Sequence, residues 1–122
     1  VRLCGNLVGA EGGGWPSGEW NGWWGPKPPY YTPVFVMTHY PRPPMVMEGG
    51  TVFEFVSDDI ATVVDKAKIA AKGKDVRLSG GVQTVRTGLL AGLVDYLHLA
   101  VSPVVLGKGE SLLAGIDLAK LG

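Results

Sequence analysis

The stretch Asp75–Gly92, DVRLSGGVQTVRTGLLAG, decides the fold. Asp75 to Ser79 forms a short strand, Gly80-Gly81 signals a turn, and Val82 to Leu90 carries Val82, Val85, Leu89 and Leu90 at helical spacing before Gly92 ends the run. A glycine pair between strand and helix lets the backbone turn sharply and lets a ligand approach with no Cβ in the way. The first amides of a helix have no acceptor inside it. Those of Gly81, Val82, Gln83 and Thr84, with the Thr84 hydroxyl beside them, are therefore candidate phosphate donors, and Gly80 completes the turn. On spacing alone, a tight connection with no ligand is an equal reading.

Upstream, Thr51–Val56 (TVFEFV) alternates as a strand, with Phe53 and Phe55 on one face and Val52, Glu54 and Val56 on the other. Ser57 stands where a helix N-cap is wanted, with Asp58 and Asp59 in the first turn. Ile60, Val63, Val64, Ala67 and Ala71 then make an amphipathic helical stripe, and Lys72-Gly73-Lys74 ends it. Further upstream, Val34-Phe35-Val36-Met37 is continuously apolar, which suits a strand buried on both faces of a parallel sheet. Residues 1–33, rich in Gly, Pro and Trp, show no period and read as an irregular, loop-dominated segment. Downstream, Leu93–Val101 reads as a strand and Pro103–Leu106 as an extended segment. Strands separated by helices indicate an α/β domain with a mainly parallel sheet, and residues 1–122 are of a length for one domain.

In an open α/β sheet, ligands bind beyond the C-terminal ends of the strands. Thr38 to Arg42 follows the first buried strand, so the Thr38 hydroxyl and the Arg42 fork could hold a phosphate monoester; the plain alternative is a solvated loop arginine. His39 has no Asp, Glu, Ser or Cys neighbour in sequence to make it a general base, and His98 is expected as a packed or edge-facing imidazole in its strand. Trp15, Trp20, Trp23, Trp24, Tyr30 and Tyr31 suit hydrophobic pegs that pin a loop to the sheet, with an aromatic binding platform as the alternative. Eleven Lys and Arg balance eleven Asp and Glu, so no net field draws the chain to nucleic acid or an anionic membrane. One cysteine, Cys4, and two histidines give no disulfide and no metal-ligand spacing, and a reducing cytoplasm fits.

The segments WWGPKPPYYTPVFVMTHYPRPP, EGGTVFEFVSDDI, GKDVRLSGGVQTVR and AGLVDYLHLAVSPVVLGKGESLLAGIDL, in this order, resemble the dihydrofolate reductase-like family typified by the C-terminal reductase domain of the bifunctional riboflavin-biosynthesis deaminase-reductase. The resemblance covers Trp15 to Leu121. It implies a mixed, mostly parallel sheet flanked by helices, with NADPH bound along its C-terminal edge. Gly80, Gly81, Val82, Gln83 and Thr84 would then hold the pyrophosphate, and the loop carrying Thr38, His39 and Arg42 would surround the 2′-phosphate. The implied reaction is hydride transfer to a pterin-like or ribosylamino-pyrimidine substrate. The alternatives are a catalytically inactive remnant with residual nucleotide binding and an aromatic-platform module.

Relative to the family pattern, the chain begins after an N-terminal strand and helix. Cys4-Gly5-Asn6 lies where a Gly-Arg pair followed by Asn is common, Tyr96 stands at a usually acidic position, and Leu113 replaces a common Phe. No catalytic acid is identified. A missing central strand would expose sheet edges, so a homodimer is expected.

Overall fold

The computed structural model describes residues 1–5, 20–40 and 42–121. Its strands are β1 (Arg2–Gly5), β2 (Pro33–Met37), β3 (Met45–Val46), β4 (Val52–Val56) and β5 (Arg77–Leu78), with helices α1 (Ile60–Ala71) and α2 (Val82–Leu90) and a 3-10 turn at Leu118–Lys120. The five strands lie in the order β3-β4-β2-β1-β5. The pairs β4–β2, β2–β1 and β1–β5 are parallel, and β3 runs antiparallel to β4. This is the mixed, mostly parallel α/β sheet that the sequence implies.

Sheet burial follows the sequence pattern strand by strand. In β2, Val34, Phe35 and Val36 are all buried because both sheet faces are covered. Phe35 joins Leu3, Ile60, Val63, Val64 and Ala67 beneath α1, while Val34 and Val36 pack with Met47 and Phe53 on the opposite face. Phe55 packs on the Phe53 side and Val56 on the α1 side, the alternation expected of TVFEFV. Trp20 meets Phe53 and Phe55 edge-on at 5.7 and 5.9 Å between ring centroids, and Trp23 meets Phe53 at 5.9 Å. These tryptophans close the second core as pegs. Trp24 is exposed, and Trp15 lies outside the described residues.

Helix α1 starts at Ile60, two residues later than a Ser57 cap implies. Asp59, not Ser57, is the N-cap: its backbone is extended, and its carboxylate accepts from the Thr62 amide at 3.1 Å and the Thr62 hydroxyl at 2.6 Å. Asp58 also stays outside the first turn and pairs with Lys66. The reason is geometric, since only a carboxylate placed three residues before Thr62 reaches its amide. These bonds lower the Asp59 pKa. A depressed folded-state pKa adds stability above the unfolded value, about 3.9, that is lost as pH falls through the folded one. Asp59→Ala is accordingly expected to lower the thermal midpoint at pH 7, with the gap to wild type narrowing at an acid pH, where the carboxylate is protonated in both states. Circular dichroism melts at the two pH values check this; a gap independent of pH would contradict the assignment.

Several elements differ from the sequence expectation. Within the stretch read as loop, Arg2–Gly5 forms β1, an interior strand with partners on both sides. Four residues with one apolar position facing α1 carry too short a pattern to see; pairing with β2 and β5 makes the strand. β5 is confined to Arg77–Leu78 rather than Asp75–Ser79. Leu93–Val101 is not a strand, since among the described residues its backbone pairs with no strand, and His98 is exposed rather than packed. Helix α2 has the expected bounds, but Leu90 is exposed while Gly88 and Leu89 are buried.

The turn between β3 and β4 requires glycine. Gly49 has φ +86°, and a Cβ there would sit 2.7 Å from the Tyr31 ring. Gly49→Ala is expected to cost about 1–2 kcal/mol from the left-handed backbone alone, measurable by urea denaturation. An unchanged midpoint would contradict that turn geometry.

Candidate functional site

Because β4, β2, β1 and β5 are parallel, their C-terminal ends share one sheet edge. Thr38 follows β2, and Ser79-Gly80-Gly81 follows β5. With β1 between them, the two loops stand two strand spacings apart, roughly 10 Å.

Gly80 has φ +126°, and a Cβ built there would meet nothing within 4 Å among the described residues. Gly81 is the N-cap of α2 in extended conformation, and among the described residues no side chain caps the helix. The helical ladder begins with the Val85 amide bonded to the Gly81 carbonyl at 3.1 Å. The amides of Val82, Gln83 and Thr84 therefore lie ahead of it at the positive end of the helix dipole. Gln83 is exposed, and Gly81, Val82 and Thr84 are half-buried. Close packing fixes the helix against the sheet: a Cβ on Gly88 would come 2.7 Å from Leu78. At the other side, the Arg86 guanidinium donates to the Ser111 and Leu112 carbonyls at 3.2 and 2.8 Å. This donor set fits a phosphate, having positive dipole potential and, among the described residues, uncapped amides and no side chain against Gly80.

Thr38 is buried, and it shapes its own loop. Its amide donates to the Val56 carbonyl at 2.8 Å, and its hydroxyl oxygen accepts from the Tyr40 amide at 3.0 Å. His39 is exposed. The Arg42 guanidinium lies 5.2 Å from the Phe55 ring centroid and 5.8 Å from that of Trp20, so Arg42 is laid on the aromatic face beside β4. The glycine turn and the Thr38 loop thus share the sheet edge, while Arg42 is stacked rather than extended from it.

Arg2 is a cation that the loop reading of residues 1–33 concealed. Its guanidinium donates to the Ser79 hydroxyl at 3.5 Å and sits 4.5 Å from the Tyr30 ring centroid, which puts positive charge beside the residue preceding Gly80. The signal was present only as one basic residue in a four-residue strand. Nearby, burial pushes the Cys4 thiol pKa up against the lowering effects of its Ser79 hydrogen bond and the Arg2 charge. The Tyr30 phenol is likewise raised, by burial first and then by Cys4, with Arg2 opposing. Among the described residues, no group of three His, Cys, Asp or Glu could hold a metal ion, and no helix is long and apolar enough to cross a membrane.

Comparison with known proteins agrees with the fold. The family model of the RibD C-terminal domain matches residues 14–121. YyaP, an uncharacterized protein of Bacillus subtilis (strain 168), is 43% identical over 58 residues, a match covering 48% of this chain and 30% of that protein. The matched region thus spans under a third of that relative's length. With the family model covering nearly the whole sequence and the sheet as described, the chain belongs to the RibD C-terminal domain family, a reductase-type family of riboflavin biosynthesis with a dihydrofolate reductase-like fold.

Proposed function

We propose that this chain is the nucleotide-binding part of an NADPH-dependent reductase of the cytoplasm acting on a small pterin-like or ribosylamino-pyrimidine substrate. The observation that carries the proposal is the α2 N-terminus, capped by no side chain among the described residues and set behind Gly80-Gly81 on the C-terminal edge of the sheet. Family membership supports a nicotinamide dinucleotide as the class of cofactor.

In this reading the amides of Gly81, Val82, Gln83 and Thr84 bind the pyrophosphate, and Gly80 keeps the approach open. Arg2 adds positive potential at Ser79. The loop from Thr38 through His39 to Arg42 stands beside the adenosine end and receives the 2′-phosphate. That role asks Arg42 to leave its place over Phe55 and Trp20 or to bind from it. The cofactor, when bound, supplies the hydride; the chain binds and orients it. With no net charge on the molecule, attraction of the dianionic phosphate depends on these local donors.

Titration with NADPH and NADH, followed by tryptophan fluorescence, tests the proposal, since Trp20 packs under Arg42. Saturable quenching by NADPH is expected, with NADH weaker by about tenfold or more, the worth of a charged hydrogen bond of roughly 1.5–3 kcal/mol. No quenching at millimolar NADPH would overturn it.

A further inference from the structure

Arg2 and Arg77 are paired residues of β1 and β5, and Leu3 and Leu78 are the next pair along. Leu3 and Leu78 pack in the core beneath α1. Side chains alternate along a strand and residues in parallel register share a face, so both arginines stand on the opposite face of the sheet, on strands about 4.8 Å apart. The Arg2 side chain agrees, since its guanidinium lies 4.5 Å from the centroid of the Tyr30 ring, which packs against the second core. Ser79 follows Arg77 by two residues and returns to the same face, where its hydroxyl accepts from Arg2 at 3.5 Å.

Like charges on paired residues of one sheet face repel and cost stability unless a group of opposite sign joins them. Among the described residues nothing does, for neither guanidinium is ion-paired with a carboxylate. The surroundings add to the imbalance. Arg2, Arg77 and Ser79 line a cleft of about 920 Å³ that also carries Lys68 and Lys74, against two carboxylates, Asp75 and Asp95. The chain as a whole has no net charge, so this excess of cations is local.

We propose that Arg2, Arg77 and the Ser79 hydroxyl form a binding site for a dianionic oxyanion of the phosphate monoester class, on the sheet face opposite α1 and α2. A guanidinium presents parallel N–H donors that match two oxygens of a phosphate, and two guanidinium groups match its two charges. The Tyr30 ring orients the Arg2 fork by stacking. The Ser79 hydroxyl supplies a further donor, because its bond to the Arg77 carbonyl is a long one at 3.5 Å and is readily exchanged. This site is distinct from the α2 N-terminus, since α2 packs at Gly88 against Leu78 and Ile60 on the α1 face. It stands whether or not the amides of α2 hold a cofactor.

Calorimetric titration of the intact chain with inorganic phosphate at about pH 8, where the dianion dominates, is the test, with sodium chloride at matched ionic strength as the control for screening. Wild type is expected to bind phosphate saturably. Arg77→Gln and Arg2→Gln are each expected to weaken that binding by about tenfold or more, the worth of a charged hydrogen bond. Arg77 is exposed, so its variant should keep the wild-type circular dichroism spectrum. Gly81→Asn, a neutral N-cap that takes up the first amides of α2, is expected to leave the affinity within about twofold. Phenyl phosphate is expected to bind at least as tightly as the free ion; its failure to bind would restrict the site to the inorganic ion and overturn the monoester assignment. No saturable binding, an equal response to chloride, unchanged affinity in the arginine variants, or loss of binding in Gly81→Asn would each overturn the proposal.

Discussion

Phe53→Ala is expected to cost about 3–5 kcal/mol of stability, the range for emptying a phenylalanine site in a packed core. Phe53 is fully buried, and three aromatic or apolar walls depend on it. Val34, Val36 and Met47 surround it in the sheet-face core, Trp20 and Trp23 contact its ring edge-on, and Gly22 approaches it so closely that a Cβ would lie 3.2 Å away. Small domains hold only about 5–15 kcal/mol in total, so the variant should lose roughly a fifth or more of its stability. It should also lose the near-ultraviolet signal of the tryptophans that it anchors. Urea denaturation measures the first and near-ultraviolet circular dichroism the second. A loss below about 1 kcal/mol would mean that the second core is not organised around this ring.

Gly81→Asp should separate the proposed binding site from the fold. Gly81 is the extended N-cap of α2, a conformation open to any residue, and aspartate is a better N-cap than glycine by a few tenths of a kcal/mol. Its carboxylate would accept the amides of the first turn and so occupy the position proposed for the pyrophosphate, while repelling it. NADPH affinity is expected to fall at least tenfold, about 1.4 kcal/mol or more, with the thermal midpoint unchanged or raised. Unchanged affinity would remove the α2 N-terminus from the proposal. Reduced affinity together with a lower midpoint would point to damaged folding and likewise count against a local phosphate site.

Much of the fold was legible because its interior elements carry their own pattern. Val34–Met37 is apolar without a break since both faces of β2 are covered, and Ile60, Val63, Val64 and Ala67 mark the face of α1 that lies on the sheet. The glycine pair announced both ends of the β5–α2 connection. What escaped was structure created by pairing. β1 is four residues that become a strand between two neighbours, whereas Leu93–Val101 has a strand's composition and no ladder. The N-cap moved from Ser57 to Asp59 because capping depends on reach to the Thr62 amide, and several residues near a helix start share the same chemistry.

The candidate site divides along the same line. The α2 N-terminus could be read locally, since it depends only on consecutive residues. The surroundings of Arg2 and Arg42 could not. Arg2 meets Ser79 across the sheet, and Arg42 meets Phe55 and Trp20 from other elements. Sequence separation hides such contacts, and they set where positive charge stands along the edge. The aromatic segment is also clarified by tertiary contact, because Trp20 and Trp23 spend their ring edges on Phe53 and each other. That arrangement makes them part of the core's closure.

Backbone amide chemical shifts during an NADPH titration decide whether the α2 N-terminus holds the cofactor. The amide resonances of Gly81, Val82, Gln83 and Thr84 are expected to move together and saturate with one dissociation constant, accompanied by the Thr38–His39 loop. Shifts that bypass the α2 N-terminus, or no saturable shift at all, would contradict it.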